Sequence, residues 1–108
     1  MNLWVRKMSK RSKKCDIPKS VEIEVLVRDK CCIVCGSPRG IANAHYIARS
    51  HGGLGIVENI VTLCPLCHHE MDNGKNSLEV KAIVKKYLAG LYPNFADEQR
   101  KYNKWREK

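Results

Sequence analysis

Four cysteines form two pairs with the same spacing. Two residues separate Cys32 from Cys35 and Cys64 from Cys67, and 28 residues lie between the two pairs. A turn of this length directs both thiolates at one ion, and two such turns supply the four ligands of a tetrahedral site. A redox CxxC requires only one pair, and a disulfide framework is typical of exported proteins. The spacing therefore predicts a structural zinc site that these four cysteines close.

Two further cysteines lie outside this pattern. Cys31 adjoins Cys32 and remains an alternative ligand, although its spacing to Cys35 is less usual. Cys15 lies in a basic segment, and we interpret it as a bystander.

Two histidines lie near the cysteine pairs, His45 between them and His68 directly after Cys67. An imidazole with an ordinary pKa near 6.5 is largely neutral at neutral pH, so it can accept a proton or bind a metal ion. Taken singly, each has an ordinary structural explanation. His45 fits a buried strand histidine with one hydrogen bond, and His68 fits a surface histidine beside a zinc turn.

The order of polar residues from about 30 to 75 resembles the HNH endonuclease family, of the four-cysteine kind. The matching positions are His45, Gly52 and Gly53, the Asn-hydrophobic-hydrophobic-x-Leu-Cys segment 59–64, and Cys67 with His68. The resemblance implies a ββα-metal, treble-clef-like fold, in which a hairpin that carries His45 and Asn59 packs on a helix that carries His68.

The resemblance also implies roles for these residues. His45 would be the general base that takes a proton from water, and His68 would bind a divalent ion. Asn59 would brace the hairpin or, as in some members, bind the metal. The catalytic ion would be Mg²⁺ or Mn²⁺ where the ligands are oxygens, while a histidine ligand also permits Ni²⁺ or Zn²⁺.

One position departs from the family pattern. Many members carry Asp or His immediately before the base, but here that residue is Ala44, which cannot bind a metal. Asp72 is the best replacement, because it follows His68 by four residues and would share its helical face. Asn59 is a second candidate. His69 is a weaker one, because it points about 100° away from His68 on a helix.

Basic residues are concentrated at the start of the chain. The formal net charge is +9, and residues 1–19 hold seven Lys or Arg against one Asp. We interpret residues 1–16 as a flexible basic arm that contacts DNA phosphates, and a solvated tail is the alternative. The contacts would come from Lys10, Arg11, Lys13 and Lys14, with Arg49 added from the glycine-rich loop. Removal of this arm should weaken DNA binding and leave the chemistry in place.

The sequence predicts a small α+β domain at 17–92, followed by a polar tail at 93–108. Strands are expected at 41–47 and 58–63. A helix should follow Pro65 and end near Gly74, and another should begin with Ser77 as its cap and stop at Gly90. Between residues 17 and 30 the signals conflict, because alternating apolar residues slightly favour a strand, whereas Ser20 is a candidate helix N-cap. The resemblance implies an N-terminal helix at 20–29.

These features together predict a metal-dependent DNA endonuclease that hydrolyses phosphodiester bonds. The alternatives are a non-catalytic zinc module that binds nucleic acid, with Ala44 marking a decayed site, and a zinc module that binds protein. The chain lacks a secretory signal pattern and any run of 18 apolar residues, so we expect an intracellular protein that does not span a membrane. Family members occur in phage, mobile-element, restriction and repair settings, and the sequence does not select one.

Overall fold

The centre of the fold is an antiparallel hairpin, in a computed structural model that describes residues 10–103. Its strands are β1 (Ile41–His45) and β2 (Ile60–Leu63). His45 pairs with Ile60, and Ala44 with Val61, while the register is irregular between Ile41 and Ala44. Because side chains alternate along a strand, Ala44 points to the buried face and its two neighbours to the other face.

Four α-helices surround the hairpin within the described range. They are α1 (Lys10–Cys15), α2 (Lys19–Asp29), α3 (Pro65–Asn73) and α4 (Ser77–Leu91). Two short 3-10 turns, Arg49–His51 and Asp97–Arg100, complete the secondary structure of this part of the chain. The small α+β class is confirmed. No helix within residues 10–103 combines the length and the apolar character that a bilayer span requires.

The core lies on both faces of β2, whose four residues are all buried. Ile60 packs with Val25 of α2, while Val61 lies in a larger cluster with Val84 and Leu88 of α4. A two-stranded hairpin is marginal by itself in water, so it depends on this helical cover. The hairpin therefore has its position fixed by α2 on one side and by α3 and α4 on the other.

Helix α2 resolves the conflict between the two sequence signals. Val25 is fully buried, whereas Ile23 is 53% and Val27 69% exposed. The buried face instead follows the helical spacing from Val21 through Val25 to Asp29. The helix implied by the family resemblance is confirmed, and the strand favoured by alternation is wrong.

Both predicted helix caps are wrong by one or two residues. The N-cap of α2 is Pro18 and not Ser20, and the N-cap of α4 is Asn76 and not Ser77. The Ser77 hydroxyl instead donates a hydrogen bond of 2.5 Å to the carbonyl of Met71, which connects α4 to α3. Helix α4 also continues through Gly90.

A buried ionic network holds α2 on the hairpin and on α4. The Asp29 carboxylate accepts hydrogen bonds from the backbone N–H of Thr62 at 2.8 Å and from the hydroxyl of Tyr87 at 2.5 Å. Arg28 donates to the Ile60 carbonyl at 2.8 Å and pairs with Asp29 at 2.6 Å. Both charges are thus paired and hydrogen-bonded, the condition under which burial of an ion pair is tolerated.

The N-terminal segment is more ordered than its composition suggests. Residues 10–15, which fall in the segment that we interpreted as a flexible basic arm, form α1. Cys15 is buried, and the carbonyl of Lys14 accepts a hydrogen bond of 2.9 Å from the backbone of Gly55. Residues 1–9 and the side chains of residues 10–12 lie outside the described part.

The segment that we interpreted as a polar tail also packs on the domain, as far as residue 103. Arg100 is buried and donates hydrogen bonds to the Glu58 carbonyl at 2.5 Å and to Asp97 at 3.0 Å. Lys101 forms an isolated antiparallel bridge with Gly53. A buried arginine needs hydrogen-bond acceptors, and one of these, the Glu58 carbonyl, lies in a distant segment that composition does not reveal.

Candidate active site and metal centre

The four cysteines of the two pairs meet at one point. All four sulfurs lie within 4.8 Å of one another, and the sulfurs of Cys35 and Cys64 are 3.6 Å apart. Thiolates at about 2.3 Å from a tetrahedral zinc ion lie about 3.8 Å from each other, so this spacing fits one ion. Cys31 and Cys15 do not belong to the cluster. The predicted four-cysteine metal site is confirmed.

Local backbone geometry places these sulfurs. Gly36 has a φ angle of 79°, a left-handed conformation that glycine adopts without strain, and its N–H donates to the Cys32 carbonyl at 2.8 Å. In the second turn the Cys67 N–H lies 3.4 Å from the sulfur of Cys64, which is the N-cap of α3. Each pair is therefore shaped within about five residues of chain.

The thiols differ in acidity because of their surroundings. Burial alone would raise the pKa of Cys32, but backbone hydrogen bonds outweigh burial and lower it to about 6. Burial raises the pKa of Cys67, and its hydrogen bonds with the neighbouring thiols raise it further. The backbone of Ser37 would lower the pKa of Cys35, but the thiols of Cys32 and Cys64 raise it. A divalent cation would offset the repulsion among thiolates at this distance, and four soft sulfur ligands suit zinc.

A second feature is a cavity of about 490 Å³ beside β1. It brings together His45, Arg49, His68 and Asp72, all of which the sequence singled out. The remaining walls are Ile17, Glu22, Asn43 and Ala48. Strand β1, the 3-10 turn and α3 each contribute at least one of the four, so tertiary packing assembles the cavity.

The imidazole of His45 is held by the N-terminal segment. Its Nε2 lies 2.8 Å from the backbone carbonyl of Cys15. A carbonyl can only accept a hydrogen bond, so Nε2 carries the proton and Nδ1 keeps its lone pair. Burial lowers the pKa of His45 below 6.5, the Cys15 bond raises it in part, and the charges of Arg49 and His68 lower it further. His45 is thus neutral at pH 7 and has one basic nitrogen.

His68 and Asp72 lie together on α3. The Nε2 atom of His68 is 3.3 Å from a carboxylate oxygen of Asp72, and both side chains are partly exposed. Adjacent ligands of an octahedral ion lie about 3 Å apart, so the pair fits two positions of such a site. Within residues 10–103, only the four cysteines form a cluster of three or more His, Cys, Asp or Glu side chains.

Asn43 is a candidate for a third ligand at the His68–Asp72 pair, and the sequence reasoning missed it. It lines the cavity with His68 and Asp72, and it shares a face of β1 with His45. The two-residue spacing from His45 was the available signal. Ala44 is fully buried against Val61, so its side chain faces the core. Position 44 therefore does not face the cavity, so the absence of an acidic side chain there removes no group from the cavity wall.

Asn59 lies beneath the loop and is not part of the cavity wall. It is fully buried, and its Oδ1 accepts a hydrogen bond of 2.8 Å from the Ile47 N–H. Its Nδ2 donates to the carbonyls of Ile47 and Leu54 at 3.2 and 2.8 Å. Gly53 packs against the same turn, since a Cβ there would be 1.6 Å from the Ile47 carbonyl oxygen. Asn59 thus braces the loop, and its position argues against the alternative role as a metal ligand.

The residues that we expect to contact phosphate do not all lie at the cavity. Arg49 is half exposed, lines the cavity and pairs with Asp16 at 2.6 Å. Lys13 and Lys14 are exposed on α1 and do not line the cavity. The side chains of Lys10 and Arg11 lie outside the described part of the chain.

Comparison with known proteins supports the family resemblance. Residues 32–74 match the model of the HNH endonuclease family, so the resemblance is confirmed for this region. A curated relative, anaredoxin from Nostoc sp. (strain PCC 7120 / SAG 25.82 / UTEX 2576), is 36% identical over 50 residues. The alignment covers 45% of this chain, which spans 66% of the length of that relative. The region thus combines an HNH endonuclease match with a four-cysteine metal site.

Proposed function

We propose that this protein is a metal-dependent endonuclease that hydrolyses phosphodiester bonds in DNA. The observation that carries the proposal is the cavity in which a neutral His45 faces the His68–Asp72 pair, with Arg49 at the same wall. A base, a pair of metal ligands and a cation are the groups that phosphodiester hydrolysis requires. The HNH endonuclease match at residues 32–74 supports this reaction class.

His45 acts as the general base in this proposal. Its Nδ1 takes a proton from water as the water oxygen forms a bond to phosphorus, and the bond between phosphorus and the 3′ oxygen breaks. The Cys15 carbonyl fixes the tautomer and stabilises the imidazolium that forms. Because the pKa of His45 is lowered, the basic form predominates at neutral pH.

His68, Asp72 and Asn43 would hold the divalent ion. One nitrogen, a carboxylate and an amide oxygen suit Mg²⁺ or Mn²⁺, which commonly keep waters and bind through few side chains together with substrate phosphate. When bound, such an ion supplies charge stabilisation to the phosphoryl group and to the departing oxygen. The exposure of Asp72 leaves this side of the cavity accessible to a large substrate.

Arg49 would bind a phosphate oxygen beside the scissile bond. A guanidinium binds phosphate in a bidentate geometry, which orients it as well as neutralising it. The ion pair with Asp16 is largely solvent-exposed and therefore weak, so it restrains Arg49 without preventing phosphate binding. The net charge of +9 further favours a polyanionic substrate.

Incubation of the purified chain with supercoiled plasmid and a panel of Mg²⁺, Mn²⁺, Ni²⁺ and Zn²⁺ tests the proposal. We expect nicking that depends on the added ion and stops with EDTA. His45→Ala should reduce the rate by about 10²–10⁴-fold, the usual contribution of a general base. Unchanged zinc content and thermal unfolding would show that the variant retains its fold.

A matched pair of carboxylate variants tests the metal ligands. Asp72→Asn should raise the Mg²⁺ concentration needed for half-maximal rate by about 10-fold or more. Glu79→Gln removes an exposed helical carboxylate outside the cavity and should leave that concentration unchanged. Binding of plasmid without cleavage under every ion would instead support the non-catalytic zinc module. The identity of Ala44 does not favour that alternative, because its side chain faces the core.

A further inference from the structure

A second cavity adjoins the catalytic one. It has a volume of about 370 Å³ and lies between the loop after β1 and one face of α4. Its walls are Tyr46, Ile47, Ala48, His51, Leu78, Lys81, Ala82, Lys85 and Lys101. Ala48 also lines the catalytic cavity, so the two cavities share a wall. A ligand that fills both would cross the loop at this residue.

The second cavity is positively charged. Lys81 and Lys85 are both exposed and lie one turn apart on the same face of α4. Lys101 adds a third ammonium group, and none of the described residues that line the cavity is acidic. Lys101 approaches Glu98 at 3.7 Å, but Glu98 is 85% exposed and a pair of this kind is weak. The charge of this surface suits an anionic ligand.

A third depression, of about 310 Å³, also adjoins the catalytic cavity. It shares Asn43, His68 and Asp72 with that cavity and extends toward His69 and Asn73. The His45 cavity thus shares lining residues with both of the other depressions, and we call the three together the trough. An extended strand that filled the trough would contact the reactive groups and the lysines of α4.

We propose that the lysine face of α4, defined by Lys81 and Lys85 together with Lys101, seats the DNA backbone next to the cleavage site. The inference rests on the proposed function for the identity of the polyanion. Leu78 is 82% exposed beside these lysines. A wall that joins apolar carbon to ammonium groups matches a backbone in which deoxyribose and phosphate alternate. The contact surface is thus within the folded domain, in addition to the basic N-terminal segment.

Two double variants of equal charge test the proposal. Lys81→Glu/Lys85→Glu reverses the charge of the proposed surface, and Lys75→Glu/Lys86→Glu makes the same change in net charge elsewhere. Lys75 precedes α4 and Lys86 lies about 100° around the helix from Lys85; both are exposed and neither lines the trough. Each pair is made in full-length protein that also carries His45→Ala, so that DNA binding is measured without cleavage.

Fluorescence anisotropy with a short labelled duplex across a KCl series gives the readout. Loss of two phosphate contacts should lower the slope of log affinity against log salt by about 1.8. Relative to the Lys75/Lys86 control, affinity at physiological salt should fall by about tenfold or more. Circular dichroism and zinc content verify that both double variants are folded.

Equal losses in the two double variants would overturn the proposal, since net charge alone would then explain binding. Unchanged DNA affinity in both would also overturn it, since the lysines of α4 would then make no contact with DNA. The proposed nuclease function fails separately, through absence of plasmid cleavage by the unmodified protein. A specific loss in Lys81→Glu/Lys85→Glu would still support the DNA surface in that event, because binding is measured independently of cleavage.

Discussion

The two sites of this domain are built in different ways. The cysteine cluster closes around one point, with four sulfurs within 4.8 Å, and two short turns shape it. The proposed catalytic cavity opens to solvent, and the side chains that define it come from β1, the 3-10 turn and α3. Its histidine is held by a backbone carbonyl 30 residues away in the chain.

The difference separates a structural role from a chemical one. Four thiolates saturate a tetrahedral ion and leave no position for a substrate. The His68–Asp72 pair supplies only two ligands and is partly exposed, so water and phosphate can complete the sphere. The first site should therefore control stability, and the second should control reaction rate. Each of the following experiments changes one of these two sites and measures whether stability or reaction rate responds.

The largest effect should come from the cysteine cluster. Cys64→Ser removes one of the four proposed zinc ligands, so we expect loss of bound zinc and of cooperative unfolding. Cys31→Ser is the matched control, because Cys31 is outside the cluster, and it should retain one zinc per chain. Zinc content and thermal unfolding are the measurements. A zinc-free Cys64→Ser protein that unfolds like the wild type would show that the cysteine cluster does not control stability.

The next effect concerns the N-terminal segment. Deletion of residues 1–16 removes the carbonyl of Cys15 and the carboxylate of Asp16, which hold His45 and Arg49. We expect cleavage at saturating DNA to fall by about 10²-fold, because a base that is displaced by about 1 Å loses much of its effect. The cysteine cluster contains no residue of this segment, so bound zinc should be retained. This expectation replaces the sequence-based one, in which removal of the arm left the chemistry in place.

Deletion of residues 1–9 alone is the control for that experiment. It removes Arg6 and Lys7 and leaves α1 in place. Cleavage at saturating DNA should then be unchanged, with only a salt-dependent loss of affinity. Equal rates for the two truncated proteins would contradict a positioning role for Cys15 and Asp16.

The smallest effect is the pH dependence of the cleavage rate, which should follow His45. Because the pKa of His45 is lowered from its usual value, the rate should rise with pH with a midpoint below pH 6.5. The same lowered pKa means that His45 contributes stability above about pH 6.5, which is lost as the pH falls through the folded-state value. Rate profiles and thermal unfolding from pH 5 to 8 measure both. A midpoint of the rate profile above pH 6.5 would assign the base to another group.

Sequence reasoning succeeded where the signal was local. The spacing of Cys32, Cys35, Cys64 and Cys67 was sufficient, because two residues between thiolates already define a metal-binding turn. The helical offset from His68 to Asp72 also predicted their proximity correctly. The same reasoning placed caps at Ser20 and Ser77 that the structure does not use, because packing of α2 and α4 sets where those helices begin.

Asn43 and Cys15 show what local patterns cannot reveal. Asn43 reaches the cavity because β1 turns Ala44 toward the core, and that orientation depends on pairing with β2. The Cys15 carbonyl is a backbone atom, so no residue type marks it as the partner of His45. The sequence by itself thus determined the zinc ligands and the pair on α3, through spacings of three or four residues. The tertiary structure decided which nitrogen of His45 is basic, and it brought Asn43 to the same cavity as His68 and Asp72. Those properties depend on distances between segments that chain spacing does not encode.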